Sequence, residues 1–473
     1  MNGDPKIRRT KIVATLGPAT ANASTIGALL HAGTNVVRIN ASHGTPELRA
    51  EWIAAARRAA ESLATPVAVL LDLQGPRIRA GDLPHPRELT PGQQVVFAPE
   101  EVAHGDELPT TYDGLATDAR VGSRILLNDG LLSVEVTGVD APRVRGRVID
   151  GGMLTAHKGM NLPGLHVSAP ALTEKDREDV QDAVRAGVDY LALSFVRRAE
   201  DIEELRGLVP NTIKLVAKIE KATALENLER IVAAADAVMV ARGDLGVELP
   251  FEQVPHVQKR LISEANQQGK PVITATQMLE SMVHAPRPTR AEASDVANAI
   301  LDGTDAVMLS AETAVGQYPL EAVRAMDRII REMERHPLRQ REERRKTADG
   351  VTTEDAIAWG TFAVARMLKT PLIVTHQGRV HRAQSRRAPA AGADSGGDDR
   401  VDDVSPARAR VGRRSRPRRP RAGVRRHVGG GARSHSQTPA RQAGRLHRDD
   451  GGSTVGRFGQ HQPHQGREGV MCG

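Results

Sequence analysis

Two hydrophobic patterns alternate along residues 11–335. The first is a short run, apolar at nearly every position and ending in polar or glycine residues. Eight such runs occur: KIVATLG (11–17), NVVRINAS (35–42), VAVLLDL (67–73), YLALSFV (190–196), KLVAKIE (214–220), AVMVARG (237–243), PVITATQ (271–277) and AVMLSAE (306–312). Unbroken apolar runs of this length fit parallel strands covered on both faces. The second pattern places apolar residues near i, i+3, i+4 and i+7, which predicts amphipathic helices. TPELRAEWIAAARRAA, ATALENLERIVAAA, VPHVQKRLISEANQQG and PLEAVRAMDRIIREMER all show it, and the glycine closing NQQG suits a helix C-cap. Strand and helix alternating eight times predicts a (β/α)8 barrel; a doubly wound open sheet is the alternative, because periodicity does not decide closure.

One connection departs from the rhythm. About a hundred residues separate the third and fourth runs, and within them GQQVVF, GSRILLNDGLLSVEV and APRVRGRVIDGG read as short antiparallel strands with Gly and Asp turns. They predict a small β domain inserted at the end of the barrel where active sites form.

Polar residues collect at the C-terminal ends of the predicted strands. The second run ends in Arg38, Asn40, Ser42 and His43, and the third in Asp72, with Arg77 and Arg79 close behind. The fifth ends in Lys218 and Glu220, the sixth runs into Gly243 and Asp244, the seventh ends in Thr276, and the eighth in Ser310 and Glu312. A barrel brings all of these to one mouth. Lys218 and Glu220 are two apart, so a strand points both the same way. Glu220 and Asp244 are candidate oxygen ligands for Mg2+, which takes one or two carboxylates and leaves room for substrate oxygens. The arginines add anion clamps. Taken singly, each group has an ordinary reading. Lys-Ile-Glu is a surface pair, Asp244 a turn residue, Arg77 and Arg79 a solvated loop face, and Asn40 to His43 a helix N-cap region. Their coincidence at one rim favours a site.

Charge changes this picture only at the C-terminus. The chain carries a formal +7, but residues 376–473 hold 21 Arg against 8 acidic residues, so residues 1–375 are net −6. The acidic body argues against a nucleic-acid-binding protein. The only cysteine is Cys472, which excludes an intrachain disulfide framework. There is no signal-peptide pattern and no run of about 18 apolar residues, so a cytoplasmic enzyme without membrane contact is expected.

RRTKIVATLGPAT, VVRINASHG, DLQGPRIR, KGMNLPG, LTEKDRED, SFVRR, KLVAKIEKATAL, ARGDLGVELP, TATQMLESM and PRPTRAEASDVANAILDGTDAVMLSAETAVGQYPLEAV occur in this order. This ordered set, spanning roughly residues 6–375, closely resembles the pyruvate kinase family. The resemblance implies a barrel over residues 1–75 and 167–337, an inserted β-barrel lid over 76–166, and the start of a C-terminal α/β regulatory domain over 350–375. It implies phosphoryl transfer from phosphoenolpyruvate to ADP, giving pyruvate and ATP. On that reading Lys218 stabilises the transferring group, Glu220 and Asp244 hold Mg2+, and Arg38 grips the substrate phosphate. Gly243, Asp244 and Thr276 hold the substrate carboxylate, while Asn40, His43, Arg79 and Lys175 match nucleotide-contacting positions. Asn40, Ser42, Asp72 and the Leu73 carbonyl match a K+ pocket. DLQGPR, however, resembles the K+-independent branch, with Arg77 expected to replace the ion and K+ to be dispensable. The alternatives are a metal-dependent aldolase-like barrel enzyme and an inactive product.

The resemblance stops after Thr375. From His376 onward there is no Lys, Ile, Asn or Tyr, and no helical or strand period. Composition allows a disordered basic tail. A G/C-rich gene read one base out of frame is the favoured explanation: QHQPHQG (460–466) arises from codons that, shifted, read S-T-N-L-I-K, close to the family's usual ending. No effector residues carry over. The homotetramer the family implies is in question, because a helix and a strand of the second domain lose their partners, exposing apolar surface.

Overall fold

Eight parallel strands close on one another in the computed structural model, which describes residues 8–335 together with Ile357 and Gly360. They are β1 (Lys11–Thr15), β2 (Val36–Asn40), β3 (Ala68–Asp72), β4 (Tyr190–Leu193), β5 (Lys214–Ile219), β6 (Ala237–Ala241), β7 (Val272–Ala275) and β8 (Ala306–Leu309). Each pairs with the next, and β8 returns to β1 with Lys11 opposite Ala306 and Ala14 opposite Leu309. The ring is complete, so the open-sheet alternative is excluded.

The apolar runs are explained by two-sided burial. In β1, Val13 faces the barrel interior while Ile12 and Ala14 pack outward. In β3, Leu70 faces in while Val69 and Leu71 face out. The interior is filled by Val13, Leu70, Ala192, Val216, Ala237, Met239, Ala275, Ala306 and Met308. Small and flexible side chains fill it, which agrees with an aromatic content of only 2%. Outside lie helices α1 (Ala23–Ala32), α2 (Pro46–Ser62), α3 (Glu174–Ala186), α4 (Ala199–Leu208), α5 (Leu228–Ala234), α6 (Arg242–Glu248), α7 (Val254–Gln267), α8 (Arg290–Asp302) and α9 (Pro319–Arg335). Capping boxes start α3 at Thr173–Asp176 and α8 at Thr289–Glu292. One expected helix is broken. Residues 222–235 form a 3₁₀ turn, Ala222–Leu225, and then α5. Between them Asn227 leaves helical geometry, and its side-chain amide donates to the Arg197 carbonyl at 3.1 Å.

Between β3 and β4 the chain builds a separate sheet. Six strands lie in the order Met160–Asn161, Arg124–Leu127, Leu132–Asp140, Arg143–Asp150, Gln94–Pro99 and Leu108–Thr110. Gly152–Leu154 and Arg87–Leu89 form a second, two-stranded sheet. Residues 79 and 80 bridge the two ends of the six-stranded ladder, Arg79 opposite Gly159 beside one end strand and Ala80 opposite Thr110 on the other. Phe97, Ile125, Leu127, Val134 and Val144 form a core of its own.

The insert joins the barrel through two chain crossings, and one carboxylate receives both. Asp176, fully buried, accepts from the Gly75 N–H at 3.1 Å on the outgoing segment. It also accepts from the Thr173 N–H at 3.0 Å and hydroxyl at 2.6 Å on the returning one. Gly75 sits at φ +68°, and a Cβ there would lie 2.8 Å from the Phe195 ring, so only glycine fits. Arg197 adds a second anchor, donating to the carbonyls of Val167 and of Ala169, the latter at 2.8 Å.

Among the described residues no helix is long and apolar enough to cross a membrane. The predicted domain start at 350–375 and the tail at 376–473 lie outside the described residues, Ile357 and Gly360 excepted.

Candidate active site

The tips of β2, β3 and β5 carry a chain of alternating charges. Arg38 donates through Nε to Asp72 Oδ2 at 2.8 Å and through Nη1 to Thr15 Oγ1 at 3.0 Å. Lys218 Nζ lies 3.0 Å from Asp72 Oδ1 and 2.8 Å from Glu220 Oε1. It also donates to Ser194 Oγ at 2.7 Å, and that hydroxyl donates to the Leu73 carbonyl at 2.7 Å. Glu220 accepts the Phe195 N–H at 2.7 Å. Asp72 and Glu220 are each 1% exposed.

Burial and charge compete at each of these groups. Burial pushes the Asp72 carboxyl up, but Lys218 and Arg38 outweigh it and hold the group below its ordinary range. Burial opposes the charge on Lys218, yet Asp72 and Glu220 prevail and keep the ammonium more firmly protonated than usual. Glu220 goes the other way: burial, joined by the charges of Asp244 and Asp72, outweighs Lys218 and raises its proton affinity. Asp244 is raised too, by burial first, against the opposing pull of Lys218 and Lys221. A buried and a half-buried carboxylate therefore share a corner short of positive charge, and a divalent cation would supply it. Among the described residues no cluster of three or more His, Cys, Asp or Glu side chains is set to hold a metal. Two protein carboxylates with the remaining positions left to water or substrate oxygens suit Mg2+.

Asp244 does not sit in a turn. It occupies the first turn of α6, a helix of seven residues that starts directly from the end of β6. The Gly243 N–H donates to Thr276 Oγ1 at 2.7 Å, and that hydroxyl donates to the Ala275 carbonyl at 2.6 Å. Thr276 and Gln277 adopt φ +67° and +52°, left-handed conformations that are strained, most of all for a β-branched residue. Arg242 holds them there. Its guanidinium donates to the Thr276 carbonyl at 2.7 Å and the Ala275 and Gln277 carbonyls at 3.3 Å, and it pairs with Asp295 at 2.8 Å.

The remaining predicted residues gather beside Arg38. His43 has its proton affinity lowered by burial and then by Arg77, Arg38 and Arg79, which places it among three guanidinium groups. Lys175, on α3, donates to the Ala41 carbonyl at 3.0 Å and pairs with Asp179 at 2.5 Å. Asn40, Asp72 and the Leu73 carbonyl, three of the four groups expected to hold a monovalent cation, are engaged within the protein. Asn40 Oδ1 accepts the Ser42 N–H at 3.0 Å, the Leu73 carbonyl takes Ser194, and Asp72 is bound by Arg38 and Lys218. Arg77, expected to stand in for the ion, has Asp176 as its acidic neighbour; the cations at Asp72 are Arg38 and Lys218.

Known proteins share this arrangement of elements. A family profile described as "Pyruvate kinase, barrel domain" matches residues 7–323. The chain is 52% identical over 329 residues to a pyruvate kinase of Mycobacterium intracellulare, covering 68% of this chain and 70% of that one. The chain belongs to the pyruvate kinase family. A Geobacillus stearothermophilus pyruvate kinase is 48% identical over 381 residues, 78% of this chain. The chain spans 64% of that relative's length, and 56% of the length of the Sporosarcina psychrophila pyruvate kinase. The crystal structure of a pyruvate kinase from Cryptosporidium parvum superposes with a TM-score of 0.76 at 36% identity, covering 81% of this chain and 82% of that one. With the pyruvate kinase family established, the aldolase-like alternative loses its ground.

Sequence reasoning missed several residues of this pyruvate kinase barrel mouth. Ser194 was legible, being the one polar residue other than Tyr190 in the fourth apolar run. Thr15 was legible too, at the end of β1. Arg242, Lys221 and Glu248 gave no sign, because their partners depend on how short loops fold back over the rim.

Proposed function

We propose that this chain transfers a phosphoryl group from phosphoenolpyruvate to ADP, giving pyruvate and ATP. The observation that carries the reading is the buried ammonium of Lys218, held between Asp72 and Glu220 with Arg38 alongside. Phosphoryl transfer asks the protein for positioning and for neutralisation of spread negative charge, and for little covalent chemistry. Arg38 binds the substrate phosphate. Lys218 stabilises the charge on the group in transit. The N–H groups of Gly243 and Asp244, with the Thr276 hydroxyl, orient the substrate carboxylate. Glu220 and Asp244 would hold Mg2+, which would offset the negative charge of the substrate. Asn40, His43, Arg79 and Lys175 face the nucleotide, and the insert closes over the mouth and keeps out water that would otherwise take the phosphoryl group.

K+ is dispensable on this reading, because Arg38 and Lys218 already supply Asp72 with positive charge and Asn40 and the Leu73 carbonyl are engaged. The setting is the cytoplasm, and the assembly is the family's homotetramer. The test is ATP formation by the full chain from phosphoenolpyruvate and ADP, in tetramethylammonium buffer with Mg2+, with and without K+. ATP should appear in both cases. Absence of ATP would sink the reaction; strict dependence on K+ would sink the account of Asp72.

A further inference from the structure

Glu220 and Asp244 sit on different elements, so something must fix the gap between them. Glu220 directly follows β5. Asp244 rides on α6, whose first turn has no side-chain cap to hold it. Lys221, the residue after Glu220, touches a support of each carboxylate. Its ammonium bonds Glu248 at 2.5 Å, in the last turn of α6, and Glu248 is itself buried. The same ammonium lies 5.5 Å from the centroid of the Phe195 ring. Phe195 in turn donates its backbone N–H to Glu220 Oε2, from a left-handed conformation at φ +56°. An ammonium over a ring face and a desolvated ion pair are both attractive contacts. They close a circuit from Glu220 through Phe195, Lys221 and Glu248 to the helix bearing Asp244.

We propose that Lys221 is a positioning residue that sets the spacing of the two carboxylates for a divalent cation, gripping α6 through Glu248 and the Glu220 support through Phe195. This rests on the reading of Glu220 and Asp244 as metal ligands. Lys221 touches neither substrate nor metal; it acts through groups that do.

The probe is Mn2+, titrated into the metal-free full chain and followed by the loss of its free electron paramagnetic resonance signal. Glu220→Gln identifies the site by abolishing tight binding. Lys221→Met keeps the apolar stem and removes the charge; it should weaken Mn2+ binding about tenfold, the usual scale for removing a group that supports a ligand. The Mg2+ concentration giving half-maximal turnover should rise by the same factor, and Lys221→Arg should restore most of both. Should Lys221→Met fail to fold by circular dichroism, Glu248→Gln cuts the same clasp from α6 and should weaken Mn2+ in the same way. Mn2+ affinity unchanged in a folded Lys221→Met or Glu248→Gln chain overturns the proposal, even if the wild type makes ATP. Weakened Mn2+ binding in a protein that makes no ATP supports the clasp and defeats the proposed reaction instead.

Discussion

The barrel mouth and the inserted sheet both carry ion pairs, but of opposite physical kinds. On the insert, Arg147 pairs with Glu135 and Arg145 with Asp140, each at 2.6 Å, with side chains between 36% and 65% exposed. At the mouth, Arg38, Asp72, Lys218 and Glu220 pair at 2.7, 3.0 and 2.8 Å, with side chains 12% exposed or less. Exposed pairs are screened by water and add little. Buried ones lose hydration, and their mutual attraction seldom exceeds that loss by much, so a buried pair is weak evidence of stabilisation. The insert's pairs are therefore surface decoration on an apolar core. The mouth's charges need another reason to be there, and chemistry on a highly charged substrate provides one.

Lys218→Met should separate the two regions most strongly. It removes the central cation and leaves Asp72 and Glu220 facing each other; kcat should fall on the order of 10³-fold, as when one electrostatic donor to a transition state is lost. Steady-state kinetics on a folded variant checks it, and a loss below tenfold would put Lys218 outside the chemistry.

A smaller effect should follow from pH. Glu220, in the metal-free chain, is raised by burial to about 7. A carboxyl whose folded value lies above its ordinary one binds its proton more tightly when folded. The metal-free chain should thus lose stability as pH rises from the ordinary carboxylate range to about 7, and no further from this group beyond it. Mg2+ needs the ionised form, so the rise in Tm on adding Mg2+ should grow through the same window and then level off. Thermal melts with and without Mg2+ on either side of about pH 7 would show this; an equal Mg2+ gain at every pH would contradict it.

Least should happen at Arg147→Ala on the insert. Loss of its exposed pair should change stability by about 0.5 kcal/mol or less and leave turnover as it was. A large drop in either would mean that the insert's surface charges belong with those of the mouth.

Much of this was legible in the sequence because strand periodicity fixes which way a side chain points. Lys218 and Glu220 are two apart, and their side chains meet at 2.8 Å. Eight apolar runs implied two-sided burial, although closure itself became visible only when β8 was found beside β1. Local pattern falls short elsewhere. Gly243 and Asp244 are turn residues when taken singly, yet an unbroken passage from β6 into α6 makes them the start of a helix. The resemblance put Arg77 in place of the monovalent ion, while its acidic neighbour in the structure is Asp176, which also accepts the Gly75 N–H. Residues 222–235 kept a helical period that the tertiary bond from Asn227 to Arg197 interrupts. Local pattern tells which face is apolar; it does not tell where a loop goes once it leaves the strand.

The single buried carboxylate of Asp176 bears on how such a molecule could arise. Because the exit at Gly75 and the return at Thr173 both reach one side chain, the ladder between β3 and β4 does not depend on what lies between. The insert is in that sense modular. A change in its length alone would leave both crossings tied to Asp176, and with them the register of the strands that carry the chemistry.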